Sequence, residues 1–177
     1  MTTRLLAAAS LALAFFVSGC AAPQVTAYAG EQPALQLDRF FNGDVRAYGY
    51  FRDRAGKVVK RFAVDMRGEW SGASGTLDER FTYSDGTTQR RVWRLSLGPE
   101  GTVTGRADDV VGEARGQMSG NALHWRYTLQ QPVDGKVYEV QMDDWMYLQS
   151  DRVMLNTATM SKFGFRLGEV VLTFVKP

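Results

Sequence analysis

The chain has 177 residues, 45% of them hydrophobic, and carries 21 Lys and Arg against 19 Asp and Glu. That near-neutral balance, with no block of like charge, excludes nucleic acid as an expected partner. A single cysteine and a single histidine exclude an internal disulfide and every zinc-ligand spacing.

Met1-Thr2-Thr3-Arg4 is short, polar and carries one positive charge, and an apolar run follows from Leu5 to Val17 broken only by Ser10. These are the n-region and h-region of a secretory signal, and the run falls short of the ~20 apolar residues that span a bilayer. It ends in Val17-Ser18-Gly19-Cys20, which resembles the lipobox of bacterial lipoproteins: an aliphatic residue, two small residues, then Cys. The expectation is a signal peptide over 1–19 and a lipid on Cys20. That thiol is the only one in the chain, and lipidation gives an exported protein a use for it. Ala21 rather than Asp after the cysteine points to the outer membrane, facing the periplasm. The partner implied is a membrane held through the lipid anchor, and no cofactor is expected beyond that covalent lipid.

Residues 20–34 hold Ala, Pro, Gln, Thr and Gly without an apolar period and read as a tether. Leu35–Phe41 is a short apolar lead-in with room for one helical turn. The rest, within a single domain over 35–177, reads as strands. Turn signals recur at Arg54-Ala55-Gly56, Ser71-Gly72-Ala73, Ser84-Asp85-Gly86, Gly98-Pro99-Glu100-Gly101, Ser119-Gly120-Asn121 and Pro132-Val133-Asp134-Gly135. Between them the spacing predicts about ten strands: 43–53, 57–69, 74–83, 88–97, 101–107, 110–118, 121–131, 136–149, 152–160 and 165–176. Several alternate cleanly, as in Phe62, Val64, Met66 against Arg61, Asp65, Arg67. One-sided strands joined by short turns favour a meander, and closing a meander removes its edges. The predicted fold is all-β: an antiparallel up-and-down, lipocalin-like or calycin-like barrel of about 8–10 strands, with an open two-sheet sandwich as the alternative. A transmembrane barrel is set aside because the outer rows carry Arg, Asp and Lys.

Phe40-Phe41-Asn42-Gly43, Gly68-Glu69-Trp70, Leu77-Asp78-Glu79-Arg80-Phe81, Arg91-Val92-Trp93, Gly105-Arg106-Ala107-Asp108-Asp109-Val110-Val111-Gly112, Asp143-Asp144-Trp145-Met146 and Lys162-Phe163-Gly164 together resemble a family of Gram-negative lipoproteins catalogued as a domain of unknown function. The resemblance spans most of 35–176. It implies lipoprotein status and a lipocalin-like fold, and no activity.

Parity gives the site argument. Asp144 sits in the apolar row Tyr138, Val140, Met142, Met146, Leu148, while Asp143 falls on the polar row with Glu139 and Gln141. Glu79 interrupts Leu77, Phe81, Tyr83; Arg91 leads Trp93, Leu95, Leu97; Asn156 lies among Met154, Ala158, Met160. These polar groups are expected to point inward, with Arg91 paired to Glu79 or Asp144, because a lone buried charge is costly. For both rows of the 74–83/88–97 hairpin to face in, its loop around Asp85-Gly86-Thr87 needs an odd length, with Gly86 at positive φ. A bulge would swap Asp143 for Asp144, so both are candidates. Either the polar groups form an internal ion-pair network that fixes strand register, or with Trp93, Trp125 and Tyr127 they line a ligand cavity. His124 alternates with Leu123 and Trp125, so it is expected on the solvent face, away from any Ser-His-Asp cleft. Asp108-Asp109 is expected to cap a turn.

The function expected is that of a lipid-anchored barrel that binds or carries a hydrophobic small molecule, such as a lipid or fatty acid, in the cell envelope. The alternative is a structural lipoprotein that contacts envelope proteins through its outer surface. Enzyme activity is not expected. The mass of the mature N-terminus in the native host checks the first step: a chain of 158 residues (177 less the 19 removed) starting at an acylated Cys20 is expected. An unmodified Cys20 or a retained 1–19 segment refutes it.

Overall fold

The computed structural model describes residues 22–133 and 135–177; Cys20 and the expected signal peptide lie outside them. Ten antiparallel strands form one closed barrel: β1 (Gly43–Asp53), β2 (Val58–Ser71), β3 (Ser74–Tyr83), β4 (Thr88–Leu97), β5 (Thr102–Arg106), β6 (Val110–Ser119), β7 (Ala122–Val133), β8 (Lys136–Leu148), β9 (Val153–Lys162) and β10 (Phe165–Val175). Each strand pairs with its neighbour in sequence, and β1 closes the ring on β10 from Arg46↔Val175 to Asp53↔Gly168. The up-and-down barrel expected from the sequence is therefore the fold, at the upper end of the expected strand count, and the sandwich is excluded.

The alternation sets the inside. Phe62, Val64 and Met66 of β2 are buried while Arg61, Asp65 and Arg67 are exposed. The side-chain period of a strand is two, so every apolar row shares one core, which runs from Leu35 to Phe174. All buried hydrophobic residues among those described lie between Val25 and Phe174.

The two ends differ. At one end the short helix α1 (Leu37–Phe40) and Phe41 stopper the barrel. Leu37, Phe40 and Phe41 are each 3% exposed, and Phe41 meets Phe174 edge-on at 5.2 Å. The indole Nε1 of Trp70 donates to the Phe41 carbonyl at 3.2 Å. Lys176 Nζ donates to the carbonyls of Arg39, Phe40 and Asn42 at 2.8, 3.1 and 2.8 Å, replacing donors that the ended helix cannot supply. The hairpin turns β1–β2, β3–β4, β5–β6, β7–β8 and β9–β10 surround the opposite end, where no equivalent cover is formed by the described residues.

Residues 22–34 correct the expectation of a free tether. Val25, in a 3₁₀ turn over Val25–Tyr28, is 6% exposed, and Tyr28 packs edge-on against Trp145 and Tyr147 on the outer wall. Leu35 N–H donates to the Gly120 carbonyl at 2.8 Å. The absence of an apolar period hid this, because single residues rather than a repeating face make the contacts.

Gly68 lets the stopper seat: a Cβ there would stand 1.5 Å from the Phe41 carbonyl oxygen. Gly68→Ala is expected to cost about 1–3 kcal/mol by forcing that backbone away, read as a fall in the midpoint of urea unfolding. An unchanged midpoint would mean that the stopper is not held where the geometry puts it.

Candidate functional site

The inward rows leave a cavity of about 120 Å³ open to the centres of water-sized spheres. One water needs ~10–15 Å³ on that measure, so the space takes several waters or a small organic group. Its wall is apolar, with Phe62, Phe81, Trp93, Trp125, Met142 and Met160 among the lining side chains, and Glu79, Arg91, Asp144 and Asn156 also line it. Four of the polar groups expected to face inward thus meet in one place, and Trp93, Trp125 and Tyr127 line the same space. The two rings nearest Trp93 stand edge-on to it, Trp125 at 5.8 Å and Tyr127 at 5.4 Å.

The β3–β4 hairpin positions the first pair. Tyr83 N–H donates to the Thr87 carbonyl, leaving the three-residue loop Ser84-Asp85-Gly86 with Gly86 at φ 82°. The odd loop puts Glu79 directly opposite Arg91, both facing in. Arg91 Nη1 nevertheless stays 3.7 Å from Glu79 Oε2, beyond hydrogen-bond range. The strong partner of Arg91 is Asp109, whose carboxylate accepts from Nε at 2.9 and 3.0 Å and from Nη2 at 2.8 Å. Gln89 donates to the same carboxylate at 3.2 Å.

Asp109 is the site residue that the sequence reading missed. It does lie in a turn, but β5 is only five residues long and pairs with β4 no further than Arg94. The wall between β4 and β7 is therefore low, and the β5–β6 turn brings Asp109 beside the inward Arg91. The shortness of the 102–106 segment was the available signal. A lateral cleft bounded by Gln89, Arg91, Asp109, Gln130 and Pro132 opens here, and Gln89 and Arg91 line both it and the barrel cavity.

Asp144 does not pair with Arg91. Asn156 Nδ2 donates to its Oδ1 and also to the Trp145 carbonyl, and β7 places Trp125 directly across from it. Asp143 is corrected as a site candidate: it faces outward. Its carboxylate accepts from Arg126 Nε at 2.9 Å and from the Trp145 indole at 3.0 Å, and lies 2.9 Å from His124 Nε2. No bulge reverses the two faces, since β7 and β8 pair without a register shift. His124 does face outward as expected, yet it is half-buried, stacked on Trp145 at 4.0 Å.

Electrostatics sharpen the picture. Burial pushes the Glu79 carboxyl up to about 7, against the pull of Arg91. Burial likewise pushes Asp144 up to about 7, against the hydrogen bonds from Asn156 and Tyr127. The Tyr127 phenol is raised, first by burial and then by the Asp144 charge. Burial works to lower the Arg91 guanidinium, but Glu79 and Asp109 outweigh it and hold it protonated. Arg91 and Asp109 thus neutralise each other, and two carboxyls poised near neutrality face the cavity. Glu79 Oε2 is buried and has no hydrogen-bond partner among the described residues.

The family model for proteins of unknown function designated DUF3833 matches residues 14–176. The chain belongs to this family. Two solved structures are similar in fold. An S-type phycobiliprotein lyase from Guillardia theta shares 9% identity at a TM-score of 0.61, over 88% of this chain and 98% of that one. A DUF3598-family protein of unknown function from Nostoc punctiforme PCC 73102 shares 12% identity at a TM-score of 0.57, over 89% of this chain and 53% of its own. No curated protein matches the sequence. At these identities the likeness is one of fold.

The raised carboxyls have a consequence for stability. Below the ordinary carboxylate range, the folded and unfolded chains both hold these protons. As pH rises toward about 7, the unfolded chain releases protons that the DUF3833 barrel keeps, so stability falls with pH, by about 1.4 kcal/mol per unit for each proton retained. The melting temperature is expected to fall between about pH 5 and about pH 7 and the Glu79→Gln, Asp144→Asn double variant to flatten that slope. An equal slope in the variant would show that these groups titrate normally.

Proposed function

We propose that this protein is a lipid-anchored envelope protein whose barrel binds a hydrophobic small molecule through an apolar body and a hydrogen-bond-donating or cationic head. The observation that carries the reading is the cavity: an aromatic and Met wall that Glu79 also lines, with a buried Glu79 Oε2 that has no hydrogen-bond partner among the described residues. An unsatisfied buried acceptor is costly, and a donor from a ligand removes the cost. The plan shared with a phycobiliprotein lyase is compatible with a barrel that handles a small molecule.

The charge balance narrows the ligand within the lipid class. Among the described residues Arg91 is the only cation lining the cavity, and it is already occupied by Asp109. A fatty-acid carboxylate would add a negative charge beside Glu79, Asp109 and Asp144. An amine or hydroxyl head instead meets acceptors. The end of the barrel opposite the stopper is the way in that this reading uses. The anchor rests on Val17-Ser18-Gly19-Cys20, and Ala21 favours the outer membrane.

Native mass spectrometry of protein purified from its own host without added ligand is expected to show a co-purifying molecule. Ala158→Phe, which fills the cavity from β9, is expected to lose it. If the wild type carries nothing and organic amphiphiles leave Trp93 and Trp125 fluorescence unchanged, the carrier reading fails. A protein that works through its outer surface then takes its place.

A further inference from the structure

The uncovered end of the barrel is not uniform around its rim. The β3–β4 and β5–β6 turns carry Asp85, Asp108 and Asp109. The neighbouring arc, formed by the β7–β8, β9–β10 and β1–β2 hairpins, carries apolar side chains in the open. Phe163 is 85% exposed and Phe165 74%, and Val133, Val137, Tyr138, Leu167, Val58 and Val59 are exposed on the same three hairpins. Single exposed apolar residues need no explanation, but a run of them at one end does.

The backbone reinforces the point. Phe163 sits at φ 51° and Gly164 at φ 80°, so the two-residue turn joining β9 to β10 holds a phenylalanine in the left-handed region. Asn, Asp or Gly takes this position at less cost, and a bulky residue kept there is an outlier. The turn thrusts the Phe163 ring into solvent, beyond the end of the barrel. Strain retained at an exposed apolar tip is the signature of a contact made outside the fold.

Cations interleave with these rings. Lys162 Nζ lies 5.2 Å from the Tyr138 ring and 5.2 Å from the Phe163 ring. Arg54, Lys57 and Lys162 have no carboxylate within ion-pair distance among the described residues, and Arg166 is half-exposed beside Glu169. Aromatic tips flanked by basic side chains match a bilayer interface, where rings enter the acyl boundary and cations meet anionic headgroups.

We propose that this arc of the rim docks on an anionic lipid surface, with Phe163 and Phe165 inserted and Lys162, Arg166, Lys57 and Arg54 on the headgroups. Docking there brings the open end of the cavity against the bilayer. The docked Val25–Tyr28 turn contacts β6 and β7 and supports the β6–β7 turn through Gly120, at the stoppered end. The proposal stands on the rim itself and does not require a ligand in the cavity.

The test uses the chain from residue 20 with Cys20→Ser, which keeps every described strand and the docked 22–41 segment and carries no lipid of its own. Co-sedimentation with phosphatidylcholine vesicles, with and without phosphatidylglycerol, gives the affinity. Binding that depends on phosphatidylglycerol and weakens with salt is expected. Phe163→Asp and Phe165→Asp are each expected to weaken it about tenfold or more. Lys162→Glu is expected to weaken it about fivefold and to reduce the salt dependence. Both rings are exposed, so unchanged melting temperatures separate lost docking from lost folding. In Phe163→Trp, a blue shift of the emission and quenching by brominated lipid on vesicle addition place the tip in the bilayer. Ala158→Phe is expected to bind vesicles like the parent, which separates this proposal from the carrier reading. Absent binding, equal binding to phosphatidylcholine alone, or indifference to Phe163→Asp and Phe165→Asp would overturn it. Self-association through the same rings in place of vesicle binding would overturn it as well and point to a protein partner.

Discussion

Pairing of β1 with β10 is the contact on which the rest depends. The two strands are separated by the whole of the domain, and their eight-residue register turns a meander with two free edges into a ring with none. Closure decides where polar side chains can go. On an open sheet, Glu79, Arg91, Asp144 and Asn156 would sit on one face with water beside them. Inside a ring they share a single enclosed space, and each must find a partner, hold a proton or wait for a ligand. Arg91 finds Asp109, Asp144 finds Asn156, and Glu79 is left with an oxygen that nothing satisfies.

Asymmetry between the two ends gives this ring a direction. Phe41 and α1 occupy one end, held by Trp70 and by three carbonyl bonds from Lys176 near the chain terminus. The C-terminal residues thus secure the segment that precedes the first strand, and the stopper and the closure of the ring reinforce one another. The uncovered end has half-buried lining residues such as Phe51, Tyr83, Gln89, Gln131 and Met160, graded between the dry core and solvent. Beyond them lie the Phe163 and Phe165 rings. Along the barrel axis the stopper gives way to an apolar core in which Glu79 and Asp144 are embedded, then to a graded mouth and an apolar rim.

The short β5 is the second structural decision of consequence. Were it as long as β4, the wall would be complete and Asp109 would stand in a distant turn. Because it stops at Arg106, the following turn falls beside Arg91, and one site serves both a lateral cleft and the cavity. An ion pair at that junction keeps Arg91 charged and removes it from service as a free anion receptor. The character of the cavity, acceptor-rich and short of cations, follows from that one pairing.

Sequence alone determined the all-β class, the limits of the strands to within about two residues and the inward rows. It did so because a strand has period two and the turns are marked by Gly, Asp and Pro. The same parity found Glu79, Arg91, Asp144 and Asn156 but kept Asp143 beside Asp144 as a candidate; the unbroken β7–β8 register turns Asp143 outward to His124, Arg126 and Trp145. Parity tells which face a residue takes and nothing about which distant strand shares that face. Only the tertiary structure could therefore decide that Arg91 gives its hydrogen bonds to Asp109, keeps Glu79 at ion-pair distance and does not pair with Asp144. Within residues 22–34, read as a tether, Val25 and Tyr28 pack on the barrel, and contacts made by one residue at a time leave no period to detect. Nor could periodicity reveal that Phe163 and Phe165 gather at the uncovered end with Tyr138 and Lys162. That grouping exists only once β8, β9 and β10 pair in their register and set the tips of two successive hairpins side by side on one rim.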